Sequence, residues 1–223
     1  QDAEARFNMS FAIFSDSSCN LPKAQLEEFQ VQIISSSYER EGKLITCPPY
    51  PEDFDGHEYY NFLRNKGVVK TSLIPAAQME DAFRPVLAAG EDVLYITLSS
   101  GISGTVASGL QAAQALMEEF PQRQVRVLDS MGAGFGIGLL LGRASDDRKA
   151  GLNLDQTYAS LERDRDNLCE FFTVDDLMFL RRTGRLSGVT ATLGTMLQLK
   201  PLLRGDETGH ITVFNKVRGR KRA

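Results

Sequence analysis

The chain has 223 residues, 42% of them apolar, with 25 Lys and Arg against 29 Asp and Glu for a formal net charge of −4. That length and apolar share suffice for a buried core, and the acidic balance excludes the general basic field that a nucleic-acid binder carries. Two histidines and three cysteines without CxxC spacing leave almost no raw material for a histidine metal site, a Ser-His-Asp triad or a disulfide framework.

An odd number of cysteines in a chain this long predicts free thiols and a reducing, cytoplasmic setting. No run approaches the ~20 apolar residues of a membrane span, and the polar opening QDAEARFNMS does not read as a signal peptide. Five basic residues crowd into the last eight, KVRGRKRA, which reads as a solvated tail.

FAIFSD (11–16) predicts the first strand. In the following SSCNLPKAQLEEF, Asn20 is a candidate cap, Pro22 suits a first turn, and Leu21, Ala24, Leu26 and Phe29 form an apolar helix face. VQIISSSY (31–38) predicts a second strand, EREGKLITCPPYPEDFDG a hairpin turn and loop, and HEYYNFLRNKG a helix that ends at Gly67. KTSLIPAAQMEDAFRPVLAAG reads as a loop entering a helix, with Thr71 and Ser72 near the cap and Pro75 near the first turn. VLYITLS (93–99) predicts the clearest strand.

Next, in VASGLQAAQALMEEF, the spacing of Val106, Leu110, Ala113 and Met117 predicts one helix face, and VRVLDS (125–130) another strand. A long helical stretch is expected through GLLLGRASDDRKAGLNLDQTYASLERDRDNL, carrying a turn signal at 145–151. CEFFTV and HITVFNKV predict two further strands, separated by helix and loop in DDLMFLRRTGRLSGVTATLGTMLQLKP. The alternation predicts an α/β fold: a parallel-sheet N-terminal domain over 9–150 with helices on both faces and right-handed crossovers, then a second α/β domain over 165–223 that reads as truncated.

Three loops are rich in hydroxyls and stand before helices: DSSCNLP (16–22), TSLIP (71–75) and SSGISGT (99–105). Helix starts offer unpaired N–H groups and partial positive charge, and open α/β sheets bind ligands beyond the carboxyl ends of their strands, so an anionic oxygen is the natural guest. A nucleotide site calls for GxxxxGKS/T, yet SSGISGT holds no lysine to offset a triphosphate. GAGFGIG (132–138) fails the GxGxxG spacing, because Ile137 or Leu139 stands where the third glycine belongs, so its glycines read as helix-to-sheet packing. A single carboxylate matches two or three hydroxyls and backbone N–H groups. The alternative for each loop is that Ser and Thr merely cap helices.

In order along the chain, FSDSSCNLP, KTSLIP, ITLSSGISGT, VRVLDSMGAGFG, DDLMFLRRTGRLS, LQLKPLL and GHITVFNKVRGRKRA resemble the motifs of the DegV family, from about Phe11 to the last residue. The resemblance implies a bacterial fatty-acid-binding protein, the binding subunit of a fatty acid kinase serving phospholipid synthesis. It implies a long-chain fatty acid whose carboxylate meets Thr71 and Ser103, with Ser72, Ser99, Ser100 and Gly104 as neighbours. It places Arg185 and Arg218 toward the polar end of the ligand or the partner surface. The implied partner is a separate ATP-dependent kinase subunit, so the chain has no catalysis and no cofactor of its own, and transient contact with a membrane surface fits the role. TSLIP departs from the family by its Ile74. The family also continues past KVRGR with a histidine that completes the carboxylate network.

A second class stays open: an α/β enzyme for small molecules, either an acyl hydrolase using a serine of SSGISGT or a nucleotide-dependent transferase. It requires a base near that serine, and none is close in sequence. An interaction module without lipid is a third reading.

Overall fold

The computed structural model describes residues 11–175, 177, 180, 183–186 and 199–222. In chain order its strands are β1 (Phe11–Asp16), β2 (Val31–Ile34), β3 (Ser37–Arg40), β4 (Lys43–Thr46), β5 (Val69–Thr71), β6 (Asp92–Thr97), β7 (Val125–Asp129), β8 (Leu199–Gly205) and β9 (Ile211–Arg218). The helices are α1 (Lys23–Phe29), α2 (Gly56–Arg64), α3 (Ala76–Ala88), α4 (Thr105–Glu119), α5 (Phe135–Lys149) and α6 (Leu154–Arg165).

Strands β2-β1-β6-β7 pair in that order, all parallel. Alternate side chains enter opposite layers. Ala12, Phe14, Val93 and Tyr95 join Met79 of α3 and Leu116 of α4, while Phe11, Ile13, Leu94 and Ile96 join Leu26 of α1, Leu140 of α5 and Leu161 of α6. Burial on both faces is why VLYI is a continuous apolar run, and each large side chain so buried contributes about 1.5–3 kcal/mol of transfer free energy. After β1 the chain moves outward to β2, and after β6 it moves the other way to β7. The reversal lies between the carboxyl ends of β1 and β6, the crevice position of open α/β sheets.

Two smaller sheets flank this frame. Antiparallel β4-β3-β5 is closed by Glu41 and Gly42, both with positive φ, as the hairpin expected around Gly42. Antiparallel β8-β9 has a bulge between Leu202 and Leu203.

Several local expectations change. VQIISSSY is two strands, because Ser36 leaves the parallel sheet: its N–H donates to Ser17 Oγ (3.1 Å) and its carbonyl accepts from Cys47 N (2.8 Å). The long helical stretch is two helices, broken at Gly151 (φ 87°), after which Asn153 and Gln156 form a capping box that starts α6. That helix lies beyond the expected 9–150 unit, and its Leu154 and Leu161 enter the second apolar cluster. On α4 the buried face runs through Thr105, Val106, Gly109, Ala112, Ala113 and Leu116, whereas Leu110 is 55% and Met117 39% exposed. Gly109 sets this rotation, since a Cβ there would stand 3.1 Å from Val127 and 3.3 Å from Tyr95. In CEFFTV only Phe172 pairs, exchanging both backbone hydrogen bonds with Leu203. Part of the segment between the last two expected strands, including 187–198, lies outside the described residues.

Candidate functional site

The loop after β5 and the loop after β6 meet. Ile74 N donates to Thr105 Oγ1 (3.5 Å), and Leu73 Cδ2 lies 3.1 Å from where a side chain at Gly104 would begin. This joins the start of α3, entered through Pro75, to the start of α4, entered through Gly104. Neither Pro75 nor Gly104 offers a side-chain cap, so both helix starts keep backbone N–H groups for another acceptor.

Thr71 ends β5 opposite Tyr38, and Ser72 continues the pairing through its N–H to Ser37 O (3.1 Å); both are exposed. Ser103 is half-buried, with its Oγ 2.8 Å from Thr105 Oγ1 and accepting from Thr105 N (3.3 Å). The structure therefore brings Thr71, Ser72, Ser103 and Gly104 onto two adjoining loops. Thr105 is the residue that sequence reasoning left out, although it closes the SSGISGT motif: its buried hydroxyl touches both loops.

Ser99 turns elsewhere, and the Ser100 backbone is tied to the end of β7. Ser99 is fully buried, and its Oγ donates to Gly209 O (2.8 Å) in the turn between β8 and β9. Ser100 N donates to the Asp129 carboxylate (3.2 and 3.3 Å) at the end of β7. The hydroxyls of DSSCNLP are turned inward: Ser17 Oγ pairs with Ser36 Oγ (2.6 Å), and Ser18 bonds Asp16 through both its N–H and its hydroxyl. Asp16 also accepts from Tyr95 Oη (3.0 Å) and Thr97 Oγ1 (2.5 Å), which locks the ends of β1 and β6 together.

Arg185 reaches the SSGISGT loop, its Nε donating to Ile102 O (3.4 Å) and Nη1 to Thr183 O. Arg218 ends β9, exposed and opposite Leu199. At GAGFGIG, Gly138 makes room for a loop residue rather than for the sheet, since a Cβ there would lie 2.8 Å from Leu21, between β1 and α1. Gly132 and Gly136 instead make room for the half-buried Glu170, whose carboxylate accepts from Ala133 N (3.0 Å) and Gly136 N (2.9 Å). A separate open cleft of about 560 Å³ is lined by Arg40, Asp55, His57, Glu58 and Asn61, and there Arg40 is already bound to Glu58 (2.7 Å).

Two serines of SSGISGT have polar partners that are not bases: Ser99 Oγ donates to a carbonyl and Ser103 Oγ shares its hydrogen bond with Thr105. His210 Nδ1 lies 2.8 Å from Thr208 Oγ1, and His57 Nδ1 lies 3.0 Å from Asn61 Nδ2. Among the described residues no group of His, Cys, Asp and Glu is arranged to hold a metal ion, and no helix is long and apolar enough to cross a membrane.

Fold and site together define an α/β protein that gathers hydroxyl-rich helix starts near the carboxyl end of a parallel sheet. The chain belongs to the DegV family, whose model, described as an uncharacterised protein family, matches residues 10–223. It is 32% identical over 217 residues to a DegV domain-containing protein of Clostridium perfringens, covering 96% of this chain and 73% of that one. Among solved structures, a DegV family protein from Thermus thermophilus, described by its fatty acid binding, is 30% identical, with a TM-score of 0.82 over 96% of this chain and 74% of its own. A stearic acid-binding protein from Eubacterium ventriosum is 27% identical, with a TM-score of 0.83 over 95% and 72%. DegV of Bacillus subtilis, described as a fatty acid binding protein, is 28% identical, with a TM-score of 0.80 over 96% and 74%.

Proposed function

We propose that this protein binds a long-chain fatty acid, with its carboxylate on the hydroxyls of Thr71 and Ser103 and with Ser72, Ser100 and Gly104 beside them. The observation that carries the reading is the junction of TSLIP with SSGISGT at Ile74 and Thr105, which sets two uncapped helix starts and their hydroxyls side by side. The fatty-acid ligands named for the Thermus, Eubacterium and Bacillus relatives support it. A carboxylate carries one charge, which helix-start N–H groups and hydroxyls satisfy without a lysine. Burying a tail of about 16 carbons at ~0.8 kcal/mol per CH₂ supplies ~12 kcal/mol gross, against ~1.5–3 kcal/mol for each hydrogen bond to a charged group. The tail gives affinity and the hydroxyls give orientation.

Orientation suits a carrier that presents the carboxylate to a separate ATP-dependent kinase subunit, which forms the acyl phosphate for phospholipid synthesis. In this reading residues 9–150 supply the headgroup loops, and residues 165–223 supply Arg185 and Arg218 for the charged group or the kinase. The chain works in the cytoplasm, where Cys19, Cys47 and Cys169 remain thiols, and touches membrane surfaces transiently.

Titration with labelled stearic acid tests the binding. Thr71→Val and Ser103→Ala are each expected to weaken it about tenfold, the cost of one hydrogen bond to a charged group. Wild-type affinity in the double variant overturns the reading. Acyl phosphate trapped with hydroxylamine is expected only when ATP and the kinase are both added. Turnover of ATP or of an acyl ester by the chain alone favours the enzyme alternative.

A further inference from the structure

Ser99 joins the headgroup loop to the turn of the β8–β9 hairpin. Its hydroxyl donates to Gly209 O (2.8 Å) and accepts from Gly101 N (3.2 Å), while its carbonyl accepts from both Ile102 N and Ser103 N (3.0 Å each). One face of the residue is thus fastened to the hairpin, and the other builds the turn that presents Ser103. The seat around it is tight. A Cβ at Gly101 would stand 2.5–2.6 Å from the backbone of Gly209 and His210, and one at Gly209 (φ 74°) would collide with Ser99 Oγ.

The hairpin turn is itself firmly held. Asp206 Oδ1 accepts from Thr208 N (2.9 Å), Thr208 Oγ1 (2.7 Å) and His210 N (3.1 Å), and Gly209 N donates to Asp206 O (3.0 Å). A preformed turn that docks through a buried hydroxyl on the residue whose carbonyl builds the loop can be seated or unseated.

We propose that Ser99 is a positioning residue, which acts through Ser103 rather than on the ligand and couples seating of the hairpin turn to formation of the headgroup loop. The inference rests on the fatty-acid reading of that loop. Coupling of this kind is reciprocal: a ligand that needs the formed loop also holds the turn in place.

Hydrogen exchange of the wild-type chain with and without stearic acid reads the coupling directly, and the amides of 206–210 are expected to slow when the ligand is bound. Ser99→Ala is expected to lose about tenfold in affinity, the effect of one buried hydrogen bond, and to abolish that protection. Gly209→Ala, which unseats the turn from the opposite side, is expected to produce the same loss, and the double variant to be no weaker than the worse single. Wild-type affinity in Gly209→Ala, additive losses, or a turn whose exchange ignores the ligand overturns the proposal; the first two return Ser99 to direct ligand contact. If the wild-type chain takes up no stearic acid, the fatty-acid reading fails separately. Exchange at 99–103 then decides the latch, which is sunk if Gly209→Ala leaves those amides at wild-type rates.

Discussion

Asp16 is a buried carboxylate whose four donors lie close along the chain and across the sheet: Ser18 N and Oγ, Tyr95 Oη and Thr97 Oγ1. Removal of any one leaves part of a buried charge without a partner, the expensive side of hydrogen-bond energetics. Burial pushes the Tyr95 phenol well above the usual tyrosine range, and the neighbouring charge of Asp16 adds to the shift. Above about pH 10 the unfolded chain therefore gives up a proton that the folded chain keeps, and stability falls as pH rises through that range. Tyr95→Phe is expected to cost about 1–2 kcal/mol at pH 7 and to lessen this alkaline decline, to which the Tyr59 and Tyr158 phenols, also raised by burial, contribute. Urea midpoints of both proteins at neutral pH and near pH 10.5 check it; an unchanged alkaline slope in the variant refutes the assignment to Tyr95. Nothing in FSDSSCNLP singles out Asp16 beforehand, because its partners at 95 and 97 arrive only through pairing of β1 with β6.

Strands and helices show where local sequence suffices and where it does not. Strands buried on both faces, such as β1 and β6, are readable as short apolar runs, and the hairpin at Gly42 as a turn that needs positive φ. The face of α4 is not readable from spacing, since Val106, Leu110, Ala113 and Met117 fit a helical period while the rotation is decided by close approach at Gly109. Likewise, Ser36 ends β2 through partners at 17 and 47 rather than through any breaker of its own. The division between α5 and α6 is local: Gly151 turns the chain, and Asn153 accepts from Gln156 N (2.9 Å) while Gln156 Oε1 accepts from Asn153 N (3.0 Å). Asn153→Ala is expected to cost about 1 kcal/mol, the usual loss for an N-cap, with Gln156→Ala costing less because the cap itself survives. Chemical denaturation measures both, and a neutral Asn153→Ala shows that packing of Leu154 and Leu161 alone sets the start of α6.

At the scale of the whole molecule, the TSLIP and SSGISGT loops could be nominated from composition because hydroxyls before helices are a local signal. The seam between the parallel-sheet unit and the C-terminal segment could not, because its partners lie tens of residues apart. Glu170 is the clearest instance: its carboxylate bridges Ala133 N and Gly136 N at the start of α5, in a space left by Gly132 and Gly136. Sequence reasoning assigned the glycines of GAGFGIG to packing of a helix on the sheet, whereas Gly138 makes room for Leu21 of the β1–α1 loop, and Gly132 and Gly136 for the acid that arrives from beyond α6. A carboxylate at a helix start combines charge-assisted hydrogen bonds with a favourable dipole, so this one residue pins the chain just before Phe172 joins β8. Glu170→Ala is therefore expected to loosen residues 166–175 while the parallel sheet persists. Limited proteolysis mapped by mass spectrometry is expected to show cleavage there about tenfold faster, equivalent to ~1.4 kcal/mol of lost local stability, with unchanged hydrogen exchange in β6. Gly136→Ala, whose Cβ would stand 2.5 Å from the Glu170 carboxyl, is expected to reproduce the cleavage pattern. Wild-type resistance in both variants means that the segment is held by the β8 pairing of Phe172 and not by Glu170.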